Sequence, residues 1–107
     1  MVVKRFEVWM VSLDPSIGSE LKKARPCVIV SPDVVNFYLN TVTVLPLTSS
    51  LKDYPTRVHC TFQQKKGQIA VDQIRTIDKL RLRKKLGAID KRTAVSLTRT
   101  LEEYFTF

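Results

Sequence analysis

Arg57 to Phe62 sets Val58, Cys60 and Phe62 against Arg57, His59 and Thr61, a period-two alternation that a chain satisfies as a half-buried β-strand. Similar short runs recur along the sequence. Phe6 to Leu13 alternates Phe6, Val8 and Met10 with Glu7, Trp9 and Val11, so both faces are largely apolar and the strand belongs at the centre of a sheet or between layers. Cys27 to Val30 is a short apolar strand. Thr41 to Leu47 is β-branched and alternating, with Pro46 pointing to an edge position or a strand end. Lys65-Lys66-Gly67 reads as the hairpin turn after Phe62. Gln68 to Asp78 follows as strand, with Ile69 and Val71 on one face and a break near Asp72, whereas Leu80 to Ile89 is basic and irregular.

Helical signals are fewer. Ser31-Pro32-Asp33 looks like a helix start, with Ser31 as the candidate cap and Val34 to Leu39 forming one or two turns. Asp90 is a candidate N-cap for a terminal helix whose Ala94, Leu97, Leu101, Tyr104 and Phe105 fall at three-and-four spacing. Between the first two strands, Asp14-Pro15 opens a polar segment that runs to Arg25 around Gly18 and reads as a long exposed loop. Residues 1–107 contain no repeat and no Gly/Ser-rich linker, so one domain is expected. Five or six strands with short helical pieces and a helix at the end suggest a small, strongly curved antiparallel sheet or barrel with helical lids.

The charge is concentrated. Residues 1–56 hold 6 Lys/Arg and 5 Asp/Glu, and residues 57–107 hold 12 and 5, within a net charge of +8. Such a balance predicts an anionic partner, nucleic acid first and an acidic protein segment second. Cys27 and Cys60 cannot supply a disulfide framework, and no Cys/His spacing suggests zinc, so buried free thiols are expected. Lys4, Arg5 and Glu7 interrupt the apolar N-terminus before a signal-peptide core can form, which predicts a soluble, cytoplasmic protein. His59, between Val58 and Cys60, reads as a surface or structural residue.

No Gly-rich phosphate loop, HExxH or GxSxG occurs, so the chemistry must come from polar residues near strand ends. Taken singly, Glu20 and Arg25 read as a solvated ion pair, Thr48 as a turn residue and Asp72 as the partner of a neighbouring Arg. Their context is more specific. Glu7-Val8-Trp9, Leu13-Asp14-Pro15, Gly18-Ser19-Glu20, Arg25-Pro26, Val30-Ser31-Pro32, Asn36, Leu45-Pro46-Leu47-Thr48-Ser49, Tyr54-Pro55, Gly67 and Val71-Asp72-Gln73-Ile74-Arg75-Thr76-Ile77-Asp78 stand in one order. In that order they resemble the MazF/PemK family of toxin endoribonucleases over roughly residues 6 to 105.

The resemblance implies a mainly β fold with short helices, an SH3-like barrel of the MazF/PemK/CcdB type with a C-terminal helix, assembled as a homodimer. It also implies the toxin of a type II toxin–antitoxin system, which cuts single-stranded mRNA at a short motif without metal or cofactor, inhibiting translation and arresting growth. An acidic cognate antitoxin would be the protein partner, and DNA would be met only through the antitoxin complex. Attack of the 2′-OH on the adjacent phosphate leaves 2′,3′-cyclic phosphate and 5′-OH ends. It needs a base, an acid and a group that stabilises charge on phosphorus.

By position in the family pattern, Arg25 is the catalytic arginine, whose planar fork suits two phosphoryl oxygens. Thr48 would donate its hydroxyl to the scissile phosphate, helped by Ser49. Glu20 and Asp72 each match a base position, and the choice between them stays open, as does the acid. The first loop contains no His, and position 70 is Ala where some relatives place Arg. RNA contacts are expected from Lys22, Lys23, Ser49, Lys52, Gln73 and Arg75, with Tyr54 stacking on a base. Arg81, Arg83, Lys84 and Lys85 form a second basic cluster suited to substrate or to an acidic antitoxin segment. Two other readings are a non-catalytic, gyrase-poisoning toxin on the same barrel and a basic SH3-like RNA-binding module.

Overall fold

The computed structural model describes residues 1–13 and 24–107. Among them are seven strands: β1 (Glu7–Ser12), β2 (Ala24–Ile29), β3 (Thr41–Thr48), β4 (Arg57–Phe62), β5 (Lys65–Ala70), β6 (Arg75–Asp78) and β7 (Leu82–Ala88). All pairings are antiparallel, in the order β4-β5-β3-β2-β1-β7, with β6 also paired to β3. A short helix, α1 (Asp33–Tyr38), joins β2 to β3, and α2 (Lys91–Phe105) closes the chain. The result is a mainly β, curled sheet with a C-terminal helix. No helix among the described residues is long and apolar enough to cross a membrane.

The central strands are covered on both faces, while β4, β6 and β7 leave one side exposed. Val8, Val28, Leu45, Val58 and Ile69 pack with Ala94 and Leu97 of α2, while Trp9, Val11, Cys27, Ile29, Val42, Val44 and Ile77 form a second cluster. β1 is therefore apolar on both sides, as its sequence predicts, and lies between β2 and β7. Each buried Val, Leu or Ile contributes about 1.5–3 kcal/mol relative to exposure. The indole Nε1 of Trp9 donates to Glu7 Oε1 at 3.0 Å, and Lys85 Nζ meets the other oxygen of that carboxylate at 2.8 Å.

β4 and α2 match expectation. The Asp90 side chain accepts from Thr93 N–H at 2.8 Å, satisfying a donor that the first helical turn leaves free. The apolar stripe is shorter than expected: Ala94 and Leu97 are buried and Leu101 packs beside them, but Tyr104 and Phe105 are exposed. Ser31 does not cap α1. Its hydroxyl donates to Asn36 Oδ1 and accepts from Thr43 N–H, tying the β2 end to β3, while Pro32 occupies the cap position without a side-chain bond.

Other expectations are corrected. Pro46 lies inside β3, a central strand. Val30 N–H donates to Thr43 O, so alternate residues of β3 face β2 and Pro46 faces the other side. There β3 changes partner, from β6 at Val44 to β5 at Leu47, and no donor is required. The β4–β5 turn is Gln63-Gln64, both with positive φ, instead of Lys65-Lys66-Gly67, which belongs to β5. The break near Asp72 is a 3₁₀ turn, Val71–Gln73. Finally, the irregular stretch after Leu80 contains β7, whose pairing with β1 shifts register between Val8 and Trp9 and again between Met10 and Val11. Each shift turns side chains to the other face and erases the period-two signature.

Candidate active site

β2 and β3 run side by side with Ile29 opposite Val44, Val28 opposite Leu45 and Cys27 opposite Pro46. Two residues beyond that last pair on each strand stand Arg25 and Thr48. Side-chain alternation sets Arg25 and Thr48 on the face of Cys27 and Pro46, and their neighbours Pro26 and Leu47 on the other face, so the cavity they line lies where the two faces meet at the strand ends. Arg25 and Thr48 line one cavity of about 560 Å³. Its floor is apolar, built from Met10, Pro26, Leu47, Cys60, Phe62 and Leu86, and its rim adds Ser49, Ser50, Gln63, Lys65 and Lys66. Such a site offers an apolar concavity beside cations and hydroxyls. A groove of about 610 Å³ along α2, between Phe6, Ile89 and Val95, also carries Lys91, Arg99 and Glu102, but it holds none of the expected catalytic residues.

The surroundings of Thr48 are closely set. Its Oγ1 accepts from Ser50 N–H at 3.0 Å. On the neighbouring strand, a Cβ at Gly67 would meet Thr48 O at 2.8 Å, so this glycine is a close-approach residue inside β5. Next to it, the buried Gln68 takes Lys52 N–H on Oε1 at 3.0 Å and donates Nε2–H to Lys52 O at 2.9 Å. Below Arg25, Cys27 Sγ–H reaches Arg25 O at 3.7 Å. Burial pushes the Cys27 thiol up to about 12, against the opposing pull of the Arg25 and Arg75 charges.

Asp72 has a different setting. It lies outside the cavity lining, in the 3₁₀ turn. Its carboxylate accepts from Arg57 Nε at 2.9 Å and from the Thr56 hydroxyl at 2.8 Å. The Arg57 bond holds the Asp72 carboxyl below its ordinary value and raises Arg57 in turn. The plain reading of Asp72 as an arginine's partner thus describes its contacts. Arg57 also stacks 5.1 Å from the Tyr54 ring centroid, covering one face of a ring expected to stack on RNA.

The remaining expected contacts divide. Ser49 lines the cavity. Lys52, Gln73 and Arg75 are exposed outside its lining. Glu20, Lys22 and Lys23 lie outside the described residues, as does most of the first loop. Lys65 and Lys66, which the sequence pattern assigns to a turn, also line the cavity, and two adjacent lysines before a glycine are the visible signal of that cationic edge. The aromatic wall at Phe62 is a second such residue, since its ring packs on Gly87 at β7 and still lines the cavity.

Comparison with known proteins agrees with this architecture. The sequence model of the PemK-like, MazF-like toxins of type II toxin–antitoxin systems matches residues 4–105. Endoribonuclease MazF of Staphylococcus epidermidis is 31% identical over 107 aligned residues, covering 94% of this chain and 89% of that protein. Endoribonuclease EndoA of Bacillus subtilis is 32% identical over 96 residues, covering 84% and 83%. Among solved structures, a MazE–MazF complex of Deinococcus radiodurans superposes with a TM-score of 0.82 at 22% identity, covering 97% of this chain and 96% of that one. A mycobacterial endoribonuclease in complex with its cognate antitoxin gives 0.80 at 23%, covering 98% of each chain. The chain belongs to the family of PemK-like, MazF-like toxins of type II toxin–antitoxin systems.

Proposed function

We propose that this toxin is a metal-independent endoribonuclease that cuts single-stranded mRNA in the cavity at the end of the β2–β3 pair. The observation that carries the reading is that Arg25 and Thr48, on two adjacent paired strands, both line one cavity. A phosphate seated between them would meet a guanidinium fork and a hydroxyl donor together. Ser50 N–H already occupies an acceptor site of Thr48 Oγ1, which leaves the hydroxyl proton for the substrate. The apolar floor with Phe62 suits a base beside that phosphate, and Lys65 and Lys66 suit the flanking backbone.

The 2′-OH attacks phosphorus as its proton passes to the base, the P–O5′ bond breaks, and the 5′-oxygen takes a proton from solvent. Arg25 stabilises the charge that builds on the phosphoryl oxygens. As a proton acceptor Asp72 is weakened by its tie to Arg57, so the base role falls to Glu20, on its sequence match alone. The names of the relatives, both endoribonucleases, support the activity. The two antitoxin complexes support an antitoxin as the protein partner. A homodimer acting in the cytoplasm completes the reading.

Incubating the protein with single-stranded RNA in EDTA tests it. Fragments ending in 2′,3′-cyclic phosphate and 5′-OH are expected. RNA retarded on a gel but left whole would replace the nuclease by a binding module.

A further inference from the structure

We propose that Gln68 is a positioning residue for cleavage: its buried amide fixes the loop that follows Thr48 and so aims the Thr48 hydroxyl into the cavity. The inference rests on the nuclease reading of that cavity.

Residues 51–54 belong to no strand or helix, yet the Lys52 N–H and C=O are both matched, and both by one side chain. Gln68 is 1% exposed, stands opposite Thr48 in the β3–β5 register, and spends its amide oxygen and amide N–H on that single residue. A buried amide placed for packing alone would incur a desolvation cost that an apolar side chain of the same size avoids.

The effect reaches Thr48 in short steps. Consecutive residues of β5 hold the two ends of the segment: Gly67 lies against Thr48 O, and Gln68 holds Lys52. Between these anchors, Ser50 N–H donates to Thr48 Oγ1. Among the described residues the Thr48 hydroxyl donates to no protein acceptor. Ser50 N–H, which bonds Thr48 Oγ1, thus helps to fix where that oxygen sits, and Ser50 is two residues from the clamp. Releasing Lys52 frees Ser50, and the oxygen loses a bond that holds it. Misplacement of a reacting group by about 1 Å costs on the order of a hundredfold in rate.

The test compares wild type with Gln68→Met and Gln68→Glu, using single-stranded RNA in EDTA and amide hydrogen exchange at Lys52. Gln68→Met keeps the volume and loses both bonds. It is expected to speed Lys52 exchange about tenfold or more and to lower kcat about tenfold or more, with KM changed less than about threefold. In Gln68→Glu the carboxylate accepts from Lys52 N–H but has nothing to donate to Lys52 O, whereas the carboxylic acid does both. Its activity relative to wild type must rise as pH falls, a rescue that a packing role does not produce.

Folded Gln68→Met with kcat within about twofold of wild type overturns the proposal, as does a flat pH ratio for Gln68→Glu. Should Gln68→Met not fold, the pH ratio decides alone. Wild-type protein that leaves RNA whole refutes the nuclease reading, and this role with it. Lys52 exchange unchanged in Gln68→Met refutes the clamp specifically, which separates the two failures.

Discussion

Gly67 passes so close to Thr48 that a Cβ on the glycine would lie 2.8 Å from the threonine's carbonyl oxygen. The contact is between backbones, and neither strand can yield without moving the end of β3 that carries the cavity wall. Gly67→Ala is therefore expected to cost about 1–3 kcal/mol of stability and to slow RNA cleavage about tenfold or more at a temperature where the variant is folded. Denaturant unfolding beside a cleavage assay checks both, and a rate equal to wild type would show that the approach does not set the site.

The Asp72–Arg57 pair predicts a pH effect on stability. Because Arg57 holds the folded-state carboxyl low, the pair's contribution is complete above the unfolded value of about 3.9 and is lost as pH falls through the lower folded value. Asp72→Asn should flatten that acid limb when unfolding is followed from pH 6 to pH 2.

The same variant separates two roles. With Asp72 held outside the cavity by Arg57 and Thr56, Asp72→Asn should slow cleavage less than about tenfold, whereas loss of a general base costs about a hundredfold or more. A loss of the larger size would move the base to Asp72.

The Cys27 thiol should be inert. Burial pushes the Cys27 thiol to about 12 and raises Cys60 as well, so at pH 8 almost no thiolate forms at Cys27. A disulfide reagent such as DTNB should leave Cys27, fully buried and outside the cavity lining, unlabelled in the folded protein and label it in denaturant. Rapid labelling of Cys27 in the native state would contradict the packing around it.

Removing the Asp90 cap by Asp90→Ala should lower stability by about 1 kcal/mol without changing the RNA cleavage rate, since its bond to Thr93 lies at α2, outside the cavity lining. Thermal unfolding and the cleavage assay together decide this.

What the sequence could and could not reveal follows from the range of the forces involved. Local patterns were legible: the alternation in β4, the doubly apolar β1 and the cap at Asp90 each depend on neighbours a few residues away. Gly67 was misread as a turn glycine because its cause, the carbonyl of Thr48, lies on another strand. The actual turn, Gln63-Gln64, adopts positive φ with no Gly or Asn to announce it. Two register shifts hid β7, and the gap between β6 and β5 that admits Pro46 exists only in the folded sheet. At the site, Arg25 and Thr48 are singled out by the family pattern alone; taken singly they read as a solvated ion-pair member in a loop and a turn residue. That Asp72 pairs with an arginine was legible, but not that the arginine is Arg57, 15 residues away, nor that Gln68 is recruited to Lys52, 16 residues away.

The claim on which the account turns is that Arg25 and Thr48 grip one phosphate, and a double-mutant cycle of Arg25→Ala and Thr48→Ala on the RNA cleavage rate tests it most directly. If both act on the same phosphate, each single variant loses about a hundredfold or more, and the double variant loses far less than the product of the two. Losses that multiply independently, or a single variant that cuts at the wild-type rate, would contradict it.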